Sequence, residues 1–153
     1  MHICQAATGE QIATIRSLFE EYAGWLRIDL CFQGFSDELG SLPGLYAPPR
    51  GRLLLASLGD ESAGCVALRP AGDTVCEMKR LFVRPAHQGH SLGRRLAERA
   101  IAEARVIGYS TMVLDTLPFM QRAIRLYEAL GFLRRSAYYD TPLHETVFME
   151  LHL

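Results

Sequence analysis

The stretch Leu81-Phe82-Val83-Arg84-Pro85-Ala86-His87-Gln88-Gly89-His90-Ser91-Leu92-Gly93-Arg94-Arg95-Leu96 limits most strongly what this chain can build. A strand over Val75 to Val83 is stopped by Pro85 and gives way, across the loop Ala86 to Ser91, to a helix. That helix is marked by Leu92, Leu96, Ala100, Ala104 and Ile107 on one face and by Arg94, Arg95, Glu98 and Arg99 on the other, with Gly108 as its stop. The first turn of a helix has unsatisfied N–H groups and the positive end of the dipole, so it can hold an anion. Gly89 and Gly93 allow close backbone approach to a bulky phosphate, and Arg94 and Arg95 add charge, which suits a diphosphate. The same residues also make a plain strand-to-helix turn, and composition alone leaves both readings open. Two other phosphate loops are excluded. No Lys-Ser or Lys-Thr follows the glycines, and the loop is neither an early β-α turn nor followed by the acidic residue of a dinucleotide fingerprint.

The remaining elements follow from periodicity. A strand is expected over residues 2–7, then a helix opened by a Thr8–Gln11 capping box, with Ala7 and Ile12 as its staple. Ile12, Ile15, Phe19, Tyr22 and Leu26 form one face of that helix, which should end near Leu26 or Arg27. Residues 28–50 read as irregular, with one short helix from Ser36 to Leu42. Arg52 to Ser57 and Gly64 to Leu68, joined by a turn at Gly59-Asp60, read as a hairpin, and Gly72-Asp73 turns into Val75–Val83. Thr111 to Leu114 is a short buried strand. A helix with Pro118 in its first turn then runs to a stop at Gly131, and one or two strands follow around 132–138 and 145–152. The order β-α-(α)-β-β-β-α-β-α-β-β describes a mixed α/β sheet: an antiparallel meander feeding a β-α-β unit.

The chain of 153 residues falls within the usual size of one domain and can bury a core without disulfides. Sixteen Lys and Arg against seventeen Asp and Glu supply no broad positive field, so neither nucleic acid nor an anionic membrane is an expected partner. Cys4, Cys31, Cys65 and Cys76 form no Cys-x-x-Cys pair and read as buried reduced thiols. With no signal peptide and no apolar run long enough to span a bilayer, a cytoplasmic location is expected. His87 and His90 lack a third ligand at useful spacing, so they read as exposed loop residues and no metal is expected.

Residues 77–132 resemble the core of the GNAT superfamily of acetyl-CoA-dependent N-acetyltransferases. That family's pyrophosphate loop, Gln/Arg-x-x-Gly-x-Gly/Ala after Val-x-Pro, is matched by Val83-Arg84-Pro85 and Gln88 through Gly93, with Ser91 in place of the middle glycine. Arg122-Ala123-Ile124-Arg125-Leu126-Tyr127-Glu128-Ala129-Leu130-Gly131-Phe132 resembles its second hallmark segment, and Met120 stands where many members carry Asn. The resemblance implies one N-acetyltransferase domain over 1–153, with a mostly antiparallel sheet around a central β-α-β unit. It implies acetyl-CoA as co-substrate, contacted by Leu81, Phe82, Val83, Gln88, Gly89, His90, Ser91, Leu92, Gly93, Arg94, Met120 and Ala123. Family members often pair through edge strands or tails, which leaves a homodimer open.

The resemblance also implies direct attack by an amine on the thioester, with no cysteine nucleophile. An alkyl ammonium is neutral in under about 0.1% of molecules at neutral pH, so a proton acceptor is needed. Glu77 lies six residues before Val83, where some members carry a general-base glutamate; an ordinary salt bridge to Arg69 is the competing reading. Strand alternation would put Glu77, Lys79, Leu81 and Val83 on one face and Cys76, Met78, Arg80 and Phe82 on the other. Tyr127 takes the position of the family's acid for the departing thiolate; a core aromatic is its alternative. A backbone N–H within Leu81 to Val83 would meet the thioester oxygen.

The acceptor is expected to be a small-molecule primary amine, with an amino-acid-like compound as one option. Its walls would come from Trp25, Phe32, Phe35, Tyr46, Tyr138, Tyr139 and Asp140. Asp29, Asp37 and Glu38 would attract a cation, and Arg27, Lys79 and Arg80 would grip a carboxylate. Trp25 and Phe32 read more readily as packing of the first helices. A non-catalytic acyl-CoA sensor and a peptide or protein N-acetyltransferase are the two alternative functions.

Overall fold

The computed structural model describes residues 1–27, 30 and 34–153; Asp29, Cys31 and Phe32 lie outside the described residues. Along the chain run β1 (His2–Gln5), α1 (Gly9–Leu26), α2 (Phe35–Ser41), β2 (Arg52–Leu58), β3 (Glu61–Pro70) and β4 (Val75–Val83). Then come α3 (Leu92–Ile107), β5 (Thr111–Thr116), α4 (Gln121–Ala129), β6 (Leu133–Arg135) and β7 (Val147–His152). The strands form one sheet in the order β1-β2-β3-β4-β5-β7-β6, antiparallel except where β4 meets β5. This is the mixed α/β architecture expected from periodicity.

Each face of the sheet buries its own core. On one, Ile15, Leu18 and Phe19 of α1 pack on Leu53, Leu55, Cys65, Ala67 and Phe82. On the other, Leu92, Leu96, Ala100 and Ala104 of α3 and Tyr127 of α4 pack on Leu54, Val66, Leu68, Cys76 and Met78. Burial of an apolar side chain contributes roughly 1.5–3 kcal/mol, so the two stripes clamp the sheet between helix layers.

Local chemistry sets the boundaries. The Gln11 side-chain oxygen accepts from Ala7 N and Thr8 N at 2.8 and 3.1 Å while Thr8 Oγ1 accepts from Gln11 N at 3.1 Å, so β1 stops at Gln5 and the capping box opens α1. After β5, Met120 N closes a turn onto Leu117 O at 3.0 Å, and α4 starts at Gln121, three residues later than Pro118 suggests. Its end follows the glycine rule. Gly131 sits at φ 100, with Gly131 N on Glu128 O and Phe132 N on Tyr127 O, both at 3.0 Å.

The alternation expected along β4 fails at one residue. The register runs Ala67↔Lys79 and then Cys65↔Phe82, so Val66 of β3 faces two residues, Arg80 and Leu81. Arg80 takes φ 61, and the bulge swaps the faces beyond it. Glu77 and Lys79 therefore share a side with Phe82, whereas Leu81 and Val83 join Cys76 and Met78 against the α3 core. The Arg80 guanidinium is held by Glu38 of α2 at 3.0 and 3.2 Å and lies 5.1 Å from the centre of the Phe35 ring.

Strands β3 and β4 are pressed together just past the bulge. A Cβ on Gly64 would meet Phe82 O at 2.5 Å and Leu96 Cδ1 at 3.3 Å. Gly64→Ala should destabilise the fold by about 1–3 kcal/mol, read as a lower midpoint in thermal or urea unfolding. An unchanged midpoint would refute the close approach.

Candidate active site

Strands β4 and β5 pair only from Val75↔Thr111 to Glu77↔Val113 in the register, and the site is built where that pairing stops. Three spaces follow one another there. A groove of about 530 Å³ runs along the loop after β4 to the start of α4. It shares Tyr22, Leu81 and Met120 with a small cavity of about 50 Å³ that Tyr127 and Asp115 also line. That cavity shares Lys79 with a chamber of about 490 Å³ walled by Leu45, Arg69, Glu77, Tyr138 and Tyr139.

The groove gathers most of the expected cofactor residues. Leu81, Phe82, Val83, Gln88, Gly89, Ser91, Leu92, Gly93, Arg94, Met120 and Ala123 line it; His90 is exposed on the loop outside the lining. Gly89 at φ 89 and Ser91 at φ 56 put two left-handed residues into this short loop, the kind of backbone that turns successive N–H groups to one side. Ser91 makes no side-chain cap hydrogen bond, so the first-turn amides of α3 are not capped by it. Gln88 Nε2 donates to Val83 O at 3.2 Å and ties the loop back to β4. The fit to a diphosphate is good: backbone donors, a helix dipole and Arg94, whose Nε donates to Glu98 at 2.9 Å. Six lining residues were not expected at the cofactor from sequence: Tyr22, Trp25, Phe119, Gln121, Arg122 and Leu126, with Trp25 48% and Phe119 59% exposed. Trp25 thus borders the groove instead of packing α1 onto the sheet. The late start of α4 is what leaves Phe119 at the groove.

Tyr127 is buried, its ring 5.7 Å from that of Phe132, and it is core aromatic and cavity wall at once. Burial pushes its hydroxyl well above the ordinary tyrosine value, as it pushes Tyr22 to about 12, so both keep their protons. Lys79 is 7% exposed, and desolvation lowers its pKa.

Glu77 lies in the chamber wall, 3% exposed, with both oxygens engaged. Arg69 Nε donates to Oε1 at 2.9 Å and the Tyr138 hydroxyl donates to Oε2 at 2.5 Å. The salt bridge considered from sequence is present, and it coexists with a place in the chamber. Asp115, which sequence reasoning missed, accepts from the Tyr139 hydroxyl at 2.5 Å. Other acceptor candidates are otherwise engaged. Tyr46 is 2% exposed and donates to Glu38 at 2.9 Å, and Glu38 is the partner of Arg80.

Among the described residues no group of three or more His, Cys, Asp or Glu side chains is placed to hold a metal. His87 Nε2 lies 3.1 Å from Glu61. Cys65 and Cys76 are buried thiols, and burial raises the pKa of both, Cys76 to about 12. No helix among the described residues is long and apolar enough to cross a membrane.

Comparison with known proteins gives the family and the fold. The sequence profile of the acetyltransferase (GNAT) family matches residues 13–132. An uncharacterised N-acetyltransferase of Schizosaccharomyces pombe is 40% identical over 146 residues, spanning 94% of this chain and 90% of that protein. The fold matches the crystal structure of an acetyltransferase from Streptococcus agalactiae at TM-score 0.82 and 23% identity, over 99% and 98% of the two chains. A Bacillus subtilis acetyltransferase in complex with CoA matches at TM-score 0.59 and 25% identity, over 68% of this chain and 78% of that one. The chain belongs to the GNAT family of acetyl-CoA-dependent N-acetyltransferases.

A Cβ on Gly93 would meet only Val83 Cγ2, at 3.8 Å, so the backbone tolerates a side chain that then fills the groove. Gly93→Trp should weaken CoA binding by calorimetry at least about tenfold, or about 1.4 kcal/mol, with the melting temperature kept. Unchanged affinity would remove the loop from the cofactor site.

Proposed function

We propose that this GNAT enzyme transfers the acetyl group of acetyl-CoA to the primary amine of a small molecule, by direct attack in a ternary complex. The observation that carries the reading is the line of three spaces, groove, cavity and chamber, joined through Leu81, Met120 and Lys79. The groove takes the cofactor, with its diphosphate at Gln88 to Arg94 and its thioester directed to the cavity beside Tyr127. The chamber takes the acceptor. Leu45, Tyr138 and Tyr139 wall it, and its volume of about 490 Å³ suits a compact amine better than a peptide.

In this reading each step draws on one group. Glu77 receives the proton that the acceptor ammonium must lose, an effect typically worth about 10²–10⁴-fold. The backbone between Leu81 and Val83 supplies an N–H to the thioester oxygen as negative charge develops there. Tyr127, kept protonated by burial, gives its proton to the departing thiolate. Attack forms the C–N bond, and collapse of the adduct breaks the C–S bond, with CoA leaving as the thiol. The second proton that the nitrogen sheds in becoming an amide replaces the one Tyr127 gave, so the net proton released is the one on Glu77.

A second reading, a CoA-binding sensor without turnover, draws on the engagement of both Glu77 oxygens. Thiol release from acetyl-CoA across a panel of small amines separates the two. Turnover on at least one amine supports the transferase, while thermal stabilisation by CoA with no release on any amine supports the sensor. Glu77→Gln should lower kcat at least about 10²-fold and leave CoA affinity nearly unchanged, since Glu77 lies outside the groove. A loss of only a few-fold would return Glu77 to a structural ion pair.

A further inference from the structure

The two oxygens of Glu77 are not equivalent. Oε1 is held by Arg69, a guanidinium with no lone pair to accept a proton. Oε2 is held by the Tyr138 hydroxyl, which spends its hydrogen on the carboxylate and keeps oxygen lone pairs free to accept one. Tyr138 and Glu77 both wall the acceptor chamber. A proton bound for Oε2 meets that hydroxyl on its way.

We propose that Tyr138 is a catalytic residue that relays the proton of the acceptor ammonium to Glu77 Oε2. The proposal rests on the reading of Glu77 as proton acceptor. In the relay an N–H bond of the ammonium breaks as an O–H bond forms at Tyr138, whose own O–H bond breaks as one forms at Oε2. Tyr138 ends as it began, Glu77 becomes a neutral acid, and the amine is left with the lone pair that attacks the thioester. No oxidant or further reactant is needed.

The ring is held for this work. It sits 5.2 Å from Phe148 and 5.5 Å from Tyr139, both edge-on, and the Arg135 guanidinium lies 5.6 Å from its centre. The charged groups around it are Arg69 of β3, Glu77 and Lys79 of β4, Asp115 of β5 and Arg135 of β6. Burial, then the charge of Glu77, pushes the Tyr138 hydroxyl far above its ordinary value. The group therefore passes a proton without resting as a phenolate. Tyr139 makes the matching bond to Asp115, but Asp115 lies beyond the chamber, in the wall of the small cavity.

The test uses the whole chain and the best acceptor from the amine panel, with kcat/KM followed from neutral pH to above that amine's own pKa. Tyr138→Phe keeps the ring and should lose about 10²-fold at neutral pH, where the acceptor is an ammonium. The loss should shrink at least about tenfold once the amine is neutral in solution, with KM for acetyl-CoA unchanged. The double variant with Glu77→Gln should lose little more than either single one. Tyr139→Phe should have no such pH-dependent ratio. A Tyr138→Phe loss that is the same at every pH overturns the relay and leaves the transferase standing. Glu77→Gln as active as the wild type removes base and relay together, and wild-type protein inactive on every amine removes the transferase reading itself. Should Tyr138→Phe melt early, the wild-type proton inventory at neutral pH decides: a bowed curve supports two protons in flight, and a straight line overturns the relay.

Discussion

One residue more in β4 than β3 can match, Arg80 at φ 61 opposite Val66, is the constraint on which the site hangs. A left-handed arginine costs roughly 1–2 kcal/mol, and such a conformation persists only where its surroundings hold it. Here Glu38 holds the guanidinium in a buried pair and Tyr46 donates to the same carboxylate. The consequence is geometric. Below the bulge β4 still pairs with β5 and turns Glu77 and Lys79 toward the chamber. Above it, Leu81, Phe82 and Val83 all border the groove, Leu81 and Val83 from the α3 side and Phe82 from the α1 side, its ring centre 5.8 Å from that of Tyr22.

The order of elements was legible because each is announced by local chemistry: the capping box at Thr8, Pro85 ending β4, Gly108 and Gly131 ending their helices. The loop from Gln88 to Gly93 was legible as a tight strand-to-helix turn for the same reason, since it carries its own backbone geometry. The bulge was not, because it is a mismatch of residue counts between two strands and no window on β4 alone contains it. Placing Leu81 and Val83 on the face of Glu77, and Phe82 on that of Cys76, was wrong for that one cause. Asp115 stayed hidden because its partner Tyr139 is brought to it by the ladder between β5 and β7. The place of Phe119 at the groove depends on α4 starting late, at Gln121, a matter of turn closure at Leu117 that propensity does not register.

Buried charge is concentrated where the β4–β5 ladder ends. Glu77, Lys79 and Arg80 are buried close to the last pairs, with Asp115 half-buried beside them, and unpaired burial would be costly for each buried charge. The structure meets that cost with specific partners: Arg69 and Tyr138 for Glu77, Tyr139 for Asp115, Glu38 for Arg80. The apolar cores on either face of the sheet need none of these groups. Their presence at the fork marks it as a place where charge is handled.

The insertion of β7 between β5 and β6 separates the two ends of the site in the sequence. The groove is walled mainly from within residues 81–94 and 119–126, while the chamber takes Leu45, Arg69, Pro70, Ala71, Glu77 and Lys79 and, from the connection after β6, Tyr138 and Tyr139. The connection after β6 is free of the cofactor loop, as surface connections usually are of the scaffold that carries them. A change confined to Tyr138 and Tyr139 would therefore redraw one wall of the chamber and leave the lining of the groove untouched.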